Sequence, residues 1–510
     1  MRVWGAQMPG PNGTWVRYRC ILEARRGIMK RAIRILLSLF LATLAFPASP
    51  QSSLPAGTRW LDHLNKELLP FWTTDSAFGN PFGAFPGTRC DDATLYDERN
   101  PCPEIRRNTW ISSQQRHVVA LSRQVYGYGV AFHLTGKRAY LDAMRAGIDF
   151  IRQNAMDRVN GGIATTQNMS DGSWVPAPKF RNSQELGYGL LGMAFYYYLT
   201  RDADVVQDIL AVKNYIFDKY YNPSLGAMQW MLTSSSGVSF DDKWLVAQLD
   251  QMNTYLVLLT PMLSEPFQSE WKASLLRLCQ VIIDQFYSPG ERLFFLSGNR
   301  PEDKALATAG TDFGHNAKAL WMIRWTGLIT GSADLVAFAE NNARVLFPRA
   351  YLDDCGCWAE GILRGGALDV DKSWWIFAEL DQLAGTLALR DPTFVKYLPR
   401  TYDYWFRQFV DPVYGEVWNG VDGRTHAPLR QLPKQWQWKN AYHSFEHALV
   451  GYIVAQQLQG ELVTLYYAFP GDPPAASVQP YYFSGTIQGI ELATDDQGRQ
   501  TQKITFSNVH

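Results

Sequence analysis

The chain has 510 residues, which is enough for a large hydrophobic core and would ordinarily suggest two or more domains. Lysine plus arginine equals aspartate plus glutamate, at 48 each, so no net charge attracts nucleic acid or an anionic membrane. Nucleic acid is therefore not an expected partner. Aromatic residues make up 14% of the chain, and many fall in glycine-containing loops, where they could stack on sugar rings or fill a helical core.

The first 50 residues have the pattern of a targeting leader. From Met29, a basic stretch is followed by an apolar run over 35–46 and then by small residues, which is the order found in signal peptides. The apolar run is too short to span a bilayer as a helix. The sequence predicts translation from Met29, no stable membrane span after processing, and a periplasmic or secreted protein.

Export would permit disulfide bonds among the six cysteines. Cys90 and Cys102 flank a short polar segment that a disulfide could close. Cys355 and Cys357 are separated by one residue, so a bond between them is expected only with strain. A metal site there would need further ligands that the nearby sequence does not supply. The sequence predicts no metal and no other cofactor.

Apolar residues recur at spacings of three and four in about twelve segments after the leader, which indicates amphipathic helices. Strand-like alternation is rare before residue 475. The sequence therefore predicts one all-α domain over 51–468. The predicted helical segments are 57–72, 108–136, 138–156, 181–201, 203–221, 241–264, 267–287, 312–330, 332–349, 370–389, 393–410 and 437–459.

The loops before alternate helices resemble one another, and most of their glycines are roughly 60 to 65 residues apart. Six such loops predict six helical hairpins, which can close into an (α/α)6 barrel with one inner and one outer helix per hairpin. All inner helices would then begin at one end, where their amino termini favour a bound anion. The repeated loops are 74–79, 157–162, 221–226, 287–290, 351–356 and 411–415.

The last part of the chain, 469–510, differs from the helical repeats. Residues 471–477 are typical of a linker, and 481–509 alternate like two strands around a turn at 495–498. The sequence predicts a β-hairpin appendage and gives no role for it.

Two histidines stand at the start of predicted inner helices. His315 follows Thr311-Asp-Phe-Gly, and His443 ends Lys439-Asn-Ala-Tyr-His. A neutral imidazole can accept or donate a proton near pH 7, so we predict that His315 and His443 are a catalytic acid/base pair. His447 lies one turn beyond His443 and is predicted to share its face and to contact the substrate. A buried core histidine is the alternative for each.

Other polar residues are expected to contact a substrate. Trp375 and Glu379 lie four apart on one helical face, where the ring would stack on a sugar and the carboxylate would bind hydroxyls or orient a histidine. Arg123, in the first inner helix, could stabilise an oxyanion. Asn253 and Tyr255 interrupt an apolar helix, which is costly unless they bond something. The alternative is a buried tryptophan with a structural glutamate for Trp375 and Glu379, and a surface position for Arg123.

Four segments in this order resemble the N-acylglucosamine 2-epimerase superfamily, which includes cellobiose 2-epimerases and mannose isomerases. The resemblance covers roughly 57–465 and implies an (α/α)6 barrel. It also implies that His315 and His443 are the acid/base pair, that Arg123 contacts the substrate or oxyanion, and that Trp375 and Glu379 lie in the sugar site. The segments are 110–126, 313–315, 372–379 and 439–443.

The resemblance implies opening of a reducing sugar, removal of the C2 proton and an enediolate intermediate, without metal or nicotinamide. Reprotonation at C2 gives an epimer, and reprotonation at C1 gives the ketose. The chain departs from the usual family pattern at a few positions. Tyr255 and Leu258 stand in place of a histidine and a glutamate, Lys318 in place of a glutamate, and Glu446 in place of an arginine.

Two other functions fit the same fold class, because fold does not decide function. A glycoside hydrolase or lyase would use a carboxylate pair about 5 to 10 Å apart. A binding protein could keep the barrel and a sugar site without the chemistry. In each case the expected partner is a small sugar, and the expected assembly is a monomer or homodimer. The carboxylates available for a pair are Asp250, Asp312, Glu360 and Glu379.

Overall fold

The computed structural model describes residues 53–105, 111–234, 238–471, 478–495 and 497–510. The predicted leader lies outside the described residues, as do Trp110 and most of the predicted linker. Within the described ranges, no helix is both long enough and apolar enough to cross a membrane.

The described chain is mostly helical, and its long helices alternate between an outer and an inner layer, as the apolar spacing predicted. The outer helices are Gly57–Asp62 (continued by His63–Leu68 and Leu69–Trp72), Arg138–Asn154, Ala203–Tyr220, Phe267–Val281 (continued by Ile282–Phe286), Ala333–Ala350 and Leu398–Tyr404 (continued by Trp405–Phe409). The inner helices are Val118–Thr135, Ser183–Thr200, Leu245–Gln251 (continued by Met252–Leu256 and Val257–Leu259), Phe313–Thr330, Trp374–Ala388 and Ala441–Leu458.

The inner helices pack side by side around a common centre. Each contacts the next, and the last, Ala441–Leu458, contacts the first, Val118–Thr135. Almost every residue of the first inner helix is buried, which is typical of a helix that is apolar on all sides. The early turns of neighbouring inner helices meet, as where Gly314 packs against Ile376. The inner helices therefore begin at one end of the structure.

The connections differ in length at the two ends. Inner helices lead to outer helices through short turns, such as those at 136–137, 201–202 and 331–332. Outer helices lead back to inner helices through long loops, which therefore all gather at the end where the inner helices begin. We call this end the mouth.

Five of the six repeated glycine loops predicted from the sequence are closed by strand or bridge pairing, whereas 74–79 contains the short helix Asp75–Phe78. Three of them are hairpins whose strands are two residues long. In two of these hairpins, Gly226 and Gly356 adopt φ of 60° and 63°, a left-handed conformation that glycine tolerates well. Two more, at 157–162 and 411–415, are closed by single bridges between their flanks. The three hairpins pair Tyr221–Asn222 with Ala227–Met228, Tyr287–Ser288 with Leu293–Phe294, and Tyr351–Leu352 with Cys357–Trp358.

The remaining strands lie in the mouth loops and in the tail. The C-terminal strands Thr486–Thr494 and Gln500–Ser507 pair antiparallel, and the second also pairs with Val463–Tyr467. The hairpin is thus not a separate appendage, because it extends a sheet that begins directly after the last inner helix. The mouth strands are Gln115–His117, Thr166–Asn168 and Trp174–Val175 in one sheet, Thr311–Asp312, Gly361–Ile362 and Leu368–Asp369 in another, and the pair Lys372–Ser373 and Gly420–Val421.

Two disulfides join the cysteine pairs that the sequence singled out. Cys90 bonds Cys102, with Cα atoms 5.6 Å apart, so the expected closure of that loop is confirmed. Cys355 also bonds Cys357, which corrects the doubt about that pair. The hairpin at 351–358 turns sharply between the two residues, and their Cα atoms lie 5.3 Å apart.

We expect the Cys90→Ala/Cys102→Ala variant to unfold with a free energy about 3 kcal/mol lower than the wild type, because its disulfide restricts a loop of this length in the unfolded chain. Cys355→Ala/Cys357→Ala is the matched control. Its free energy of unfolding should fall by roughly half as much, because the Cys355–Cys357 disulfide closes a much shorter loop. Urea unfolding followed by circular dichroism measures both. Equal losses would contradict the loop-length argument.

Candidate active site

His315 is oriented by the residue that caps its helix. The Asp312 side chain accepts from the backbone N–H of His315 at 2.7 Å, and its other oxygen lies 2.8 Å from His315 Nδ1. Because a carboxylate only accepts hydrogen bonds, Nδ1 carries the proton and Nε2 keeps a free lone pair. The side chain remains 17% exposed.

His443 lies deeper, beside a carboxyl group. Its Nδ1 is 3.5 Å from Glu379 Oε1, which is too long for a strong hydrogen bond. Neither Glu379 oxygen has a hydrogen-bond partner, although the residue is fully buried. Burial, with help from nearby Arg123 and Lys318, holds the pKa of His443 well below its usual range, and burial raises the pKa of Glu379 well above its own. Both groups therefore favour their neutral forms.

The Trp375 ring lies between the two histidines. Its centroid is 4.8 Å from that of His315 and 6.0 Å from that of His443. Gly314 makes this possible, because a Cβ added there would come within 2.6 Å of the Trp375 ring. The structure thus brings together two histidines from helices whose sequence positions are more than a hundred residues apart.

Lys318 does not contact His315, although it is three residues further along the same helix. Its ammonium donates to Asp250 at 2.8 Å and to the Tyr188 hydroxyl at 3.1 Å. Gln184 donates to the other Asp250 oxygen. Burial alone would lower the pKa of Lys318 and raise that of Asp250, but their mutual attraction outweighs burial and shifts both pKa values the other way. The pair is therefore charged and buried.

Arg123 lies close to Tyr188, which also contacts Lys318 and Asp250. Its Nη1 donates to the Trp438 carbonyl at 2.6 Å, and its guanidinium stacks 3.9 Å from the Tyr188 ring centroid. The side chain is buried and its Nε has no hydrogen-bond partner. A fixed cation with an unused donor near His443 is suited to bind an anion.

Asn253 is connected to the group through Tyr442, the neighbour of His443. The Tyr442 hydroxyl donates to Asn253 Oδ1 at 3.1 Å, and the buried Nδ2 has no partner. Asn253 lies in the π-helical turn Met252–Leu256, a distortion often found at functional sites. The turn shifts the register of this inner helix at the position that faces Tyr442.

Two predicted site residues lie elsewhere. The Tyr255 ring packs against Trp271 of an outer helix, and its hydroxyl donates to Gln251. The His447 ring lies between outer-layer aromatic residues, 4.4 Å from Trp405 and 5.0 Å from Trp60. Four residues advance a helix by slightly more than one turn, and this rotation carries His447 away from the face of His443. The expectation that Tyr255 and His447 contact the substrate is corrected accordingly.

The four carboxylates considered for hydrolysis have different surroundings. Asp250 is paired with Lys318, and Asp312 caps and orients His315. Glu360 accepts from both the backbone N–H and the hydroxyl of Ser373, and burial raises its pKa to about 8. Only Glu379, among these four, has both oxygens unpartnered. The set therefore contains one carboxyl without a partner rather than two.

Glu379, His443 and Glu446 place possible ligand atoms within 4.8 Å of one another. This spacing could accommodate one cation. The ammonium of Lys318 already contributes positive charge here, since it lowers the pKa of both glutamates against the effect of burial. The absence of a metal therefore stays a prediction from the sequence.

The sequence analysis did not link several residues of the site to the two histidines. Asp312 could have been recognised, because an aspartate three residues before His315 is a typical helix N-cap. The pairing of Lys318 with Asp250 joins residues on different helices, and nothing local signals it. Glu446 appeared only as a departure from the family pattern.

No family model matches the chain. A cellobiose 2-epimerase from Ruminococcus albus is 23% identical over 357 residues, which span 64% of this chain and 85% of that relative. The structure of a cellobiose 2-epimerase from Bacillus thermoamylovorans has a TM-score of 0.64 at 16% identity and covers 78% of this chain and 99% of its own. The structure of a D-mannose isomerase has a TM-score of 0.63 at 15% identity, and the match covers 79% of this chain and 99% of that chain. These similarities agree with the resemblance that the four motifs carry, and the two solved structures show that the chain shares their fold.

Proposed function

We propose that this protein is a carbohydrate epimerase or isomerase that moves a proton at C2 of a reducing mono- or disaccharide. The observation that carries the proposal is the placement of His315 and His443 on the same Trp375 ring, one with a free lone pair and one beside a buried carboxyl. The similarity to cellobiose 2-epimerases supports this class of enzyme.

Each residue of the group has a role in such a reaction. His315, oriented by Asp312, takes or returns a proton through Nε2, and His443 serves the other side of the same carbon. Trp375 offers an aromatic surface to the sugar ring. Arg123 and the amino termini of the inner helices stabilise the negative charge of the enediolate. Delivery of a proton to the opposite face of C2 gives the epimer, and delivery of a proton to C1 gives the ketose.

We also propose that the six inner helices form the complete inner ring of an (α/α)6 barrel, with 51–468 as the catalytic domain and 469–510 as a linker and sheet. The contact between the first and last inner helices supports this arrangement. A periplasmic or secreted location is proposed as well, since two disulfides are typical of an oxidising compartment. Monomer or homodimer stays a prediction.

The proposal is tested by isotope exchange. Purified protein is incubated in heavy water with reducing mono- and disaccharides, and the C2 proton signal is followed by NMR. We expect this signal to disappear from at least one sugar and an epimer or ketose to accumulate. Release of shorter sugars that depends on Glu379 or Asp312 would instead identify a glycoside hydrolase. Binding without exchange or release would identify a sugar-binding protein.

A further inference from the structure

The C-terminal tail reaches into the inner layer of helices from the end opposite the mouth. Tyr481 and Tyr482 are both buried there. The Tyr482 ring packs against Trp321 and Trp325, with centroids 5.2 and 6.2 Å away, and its hydroxyl donates to the Asn253 carbonyl at 3.2 Å. The tail therefore forms a floor beneath the space that the inner helices surround.

Tyr481 is held in a chain of hydrogen bonds that ends at a carboxylate of the site. Its backbone N–H donates to the Tyr198 hydroxyl at 2.8 Å, and its own hydroxyl donates to Glu446 Oε1 at 2.6 Å. The Tyr481 hydroxyl has one proton, so Tyr126, at 2.8 Å, must donate to it. Tyr481 also adopts φ of 61°, a left-handed conformation that residues with a side chain rarely take. The surrounding structure thus fixes this tyrosine against a local backbone preference.

Glu446 lies beside the proposed acid/base group. Its carboxylate is within 4.8 Å of ligand atoms of both Glu379 and His443. Burial raises the pKa of Glu446, and the hydrogen bond from Tyr481 is the largest influence that lowers it. The titratable groups that face Glu446 come from four inner helices and the tail: Tyr126, Lys318, Glu379, Tyr442, His443, Tyr481 and Tyr482.

We propose that Tyr481 is a positioning residue for the acid/base chemistry. The hydrogen bond that it donates fixes the Glu446 carboxylate beside Glu379 and His443, so the tail completes the site from below. This inference rests on the proposed function for its role in catalysis. The contact and its effect on Glu446 are independent of which sugar the protein uses.

The test compares Tyr481→Phe with Tyr467→Phe. Tyr467 is a buried tyrosine of the same tail sheet. Its hydroxyl donates to the Gln479 carbonyl and lies 3.0 Å from the Tyr198 hydroxyl, so it shares the hydrogen bonds of the tail with Tyr481 but not the bond to Glu446. Infrared spectroscopy follows the band of the protonated carboxyl group as the pH is changed. The band that is missing in Glu446→Gln is assigned to Glu446, and its titration gives the midpoint of Glu446 protonation in each variant. We expect Tyr481→Phe to raise this midpoint by about one pH unit, because a donor to the charged form is lost. Tyr467→Phe should leave it unchanged.

The acid limb of the pH profile for C2 exchange should move with the infrared midpoint in Tyr481→Phe. The inference would be overturned if Tyr481→Phe left both the infrared midpoint and the acid limb unchanged and lost only as much thermal stability as Tyr467→Phe. Tyr481 would then be a packing residue. If Tyr481→Phe does not fold, Tyr126→Phe removes the donor at the start of the chain and should shift the midpoint in the same direction by less. Absence of exchange with any sugar would refute the proposed function, while the infrared midpoints would still decide the contact.

Discussion

Replacing either histidine, as His315→Asn or His443→Asn, is expected to lower the rate of C2 proton exchange by about 100-fold to 10,000-fold, the usual contribution of a positioned acid or base. The two rings contact the same tryptophan, and each would serve one side of the reacting carbon. Binding of the sugar should weaken much less than the rate. Exchange kinetics by NMR and binding by calorimetry measure the two effects separately.

His426→Asn is the matched control for these variants. His426 lies in a mouth loop, where its Nδ1 is 2.9 Å from the Tyr404 hydroxyl and away from the Trp375 group. We expect its exchange rate to equal that of the wild type. If one of the two site variants kept full exchange while the other lost it, a mechanism with two histidines would be wrong. A single-base mechanism would then replace it.

A second large effect is expected from breaking the buried ion pair. Lys318→Met should lower the free energy of unfolding by about 3 to 5 kcal/mol, because it leaves the Asp250 carboxylate charged and without its cation in the interior. Lys318 and Asp250 side chains are only 3% and 2% exposed, so solvent cannot take over the role of the missing partner. Urea unfolding followed by circular dichroism measures the loss.

The double variant Lys318→Met/Asp250→Asn provides the control. An asparagine at 250 can still accept from the Tyr188 hydroxyl, and no unpaired charge remains. We expect the double variant to recover most of the stability that Lys318→Met loses. A double variant no more stable than the single one would show that the cost comes from packing rather than from an uncompensated charge.

Local patterns predicted much of the scaffold. Spacings of three and four located the helices because each inner and outer helix buries apolar side chains along its length, and the glycine loops revealed the repeat. The tail was harder, since alternation alone predicted the strands Thr486–Thr494 and Gln500–Ser507 but not their pairing with Val463–Tyr467. That pairing joins segments distant in the sequence, which no local pattern reveals.

The site was predictable to the extent that each residue signals its own role. A histidine at a helix start is visible in the sequence, and so His315 and His443 could be placed at the starts of two inner helices. The orientation of a side chain several turns into a helix is not visible, because a π-helical turn or a small rotation changes the face it presents. For this reason Tyr255 and His447 were predicted in the site but pack against the outer helices, whereas Lys318 was noted only as a departure.

Asp312 holds both the first turn of its helix and the ring of His315, and the two residues are only three positions apart. The geometry of this imidazole is thus determined within a tetrapeptide rather than by a partner from a distant helix. Sequence drift in the surrounding walls can proceed without disturbing it. Lys318, one turn onward, is instead held by Asp250 and Tyr188 from other helices, so the buried ion pair and the oriented imidazole are built independently on one helix.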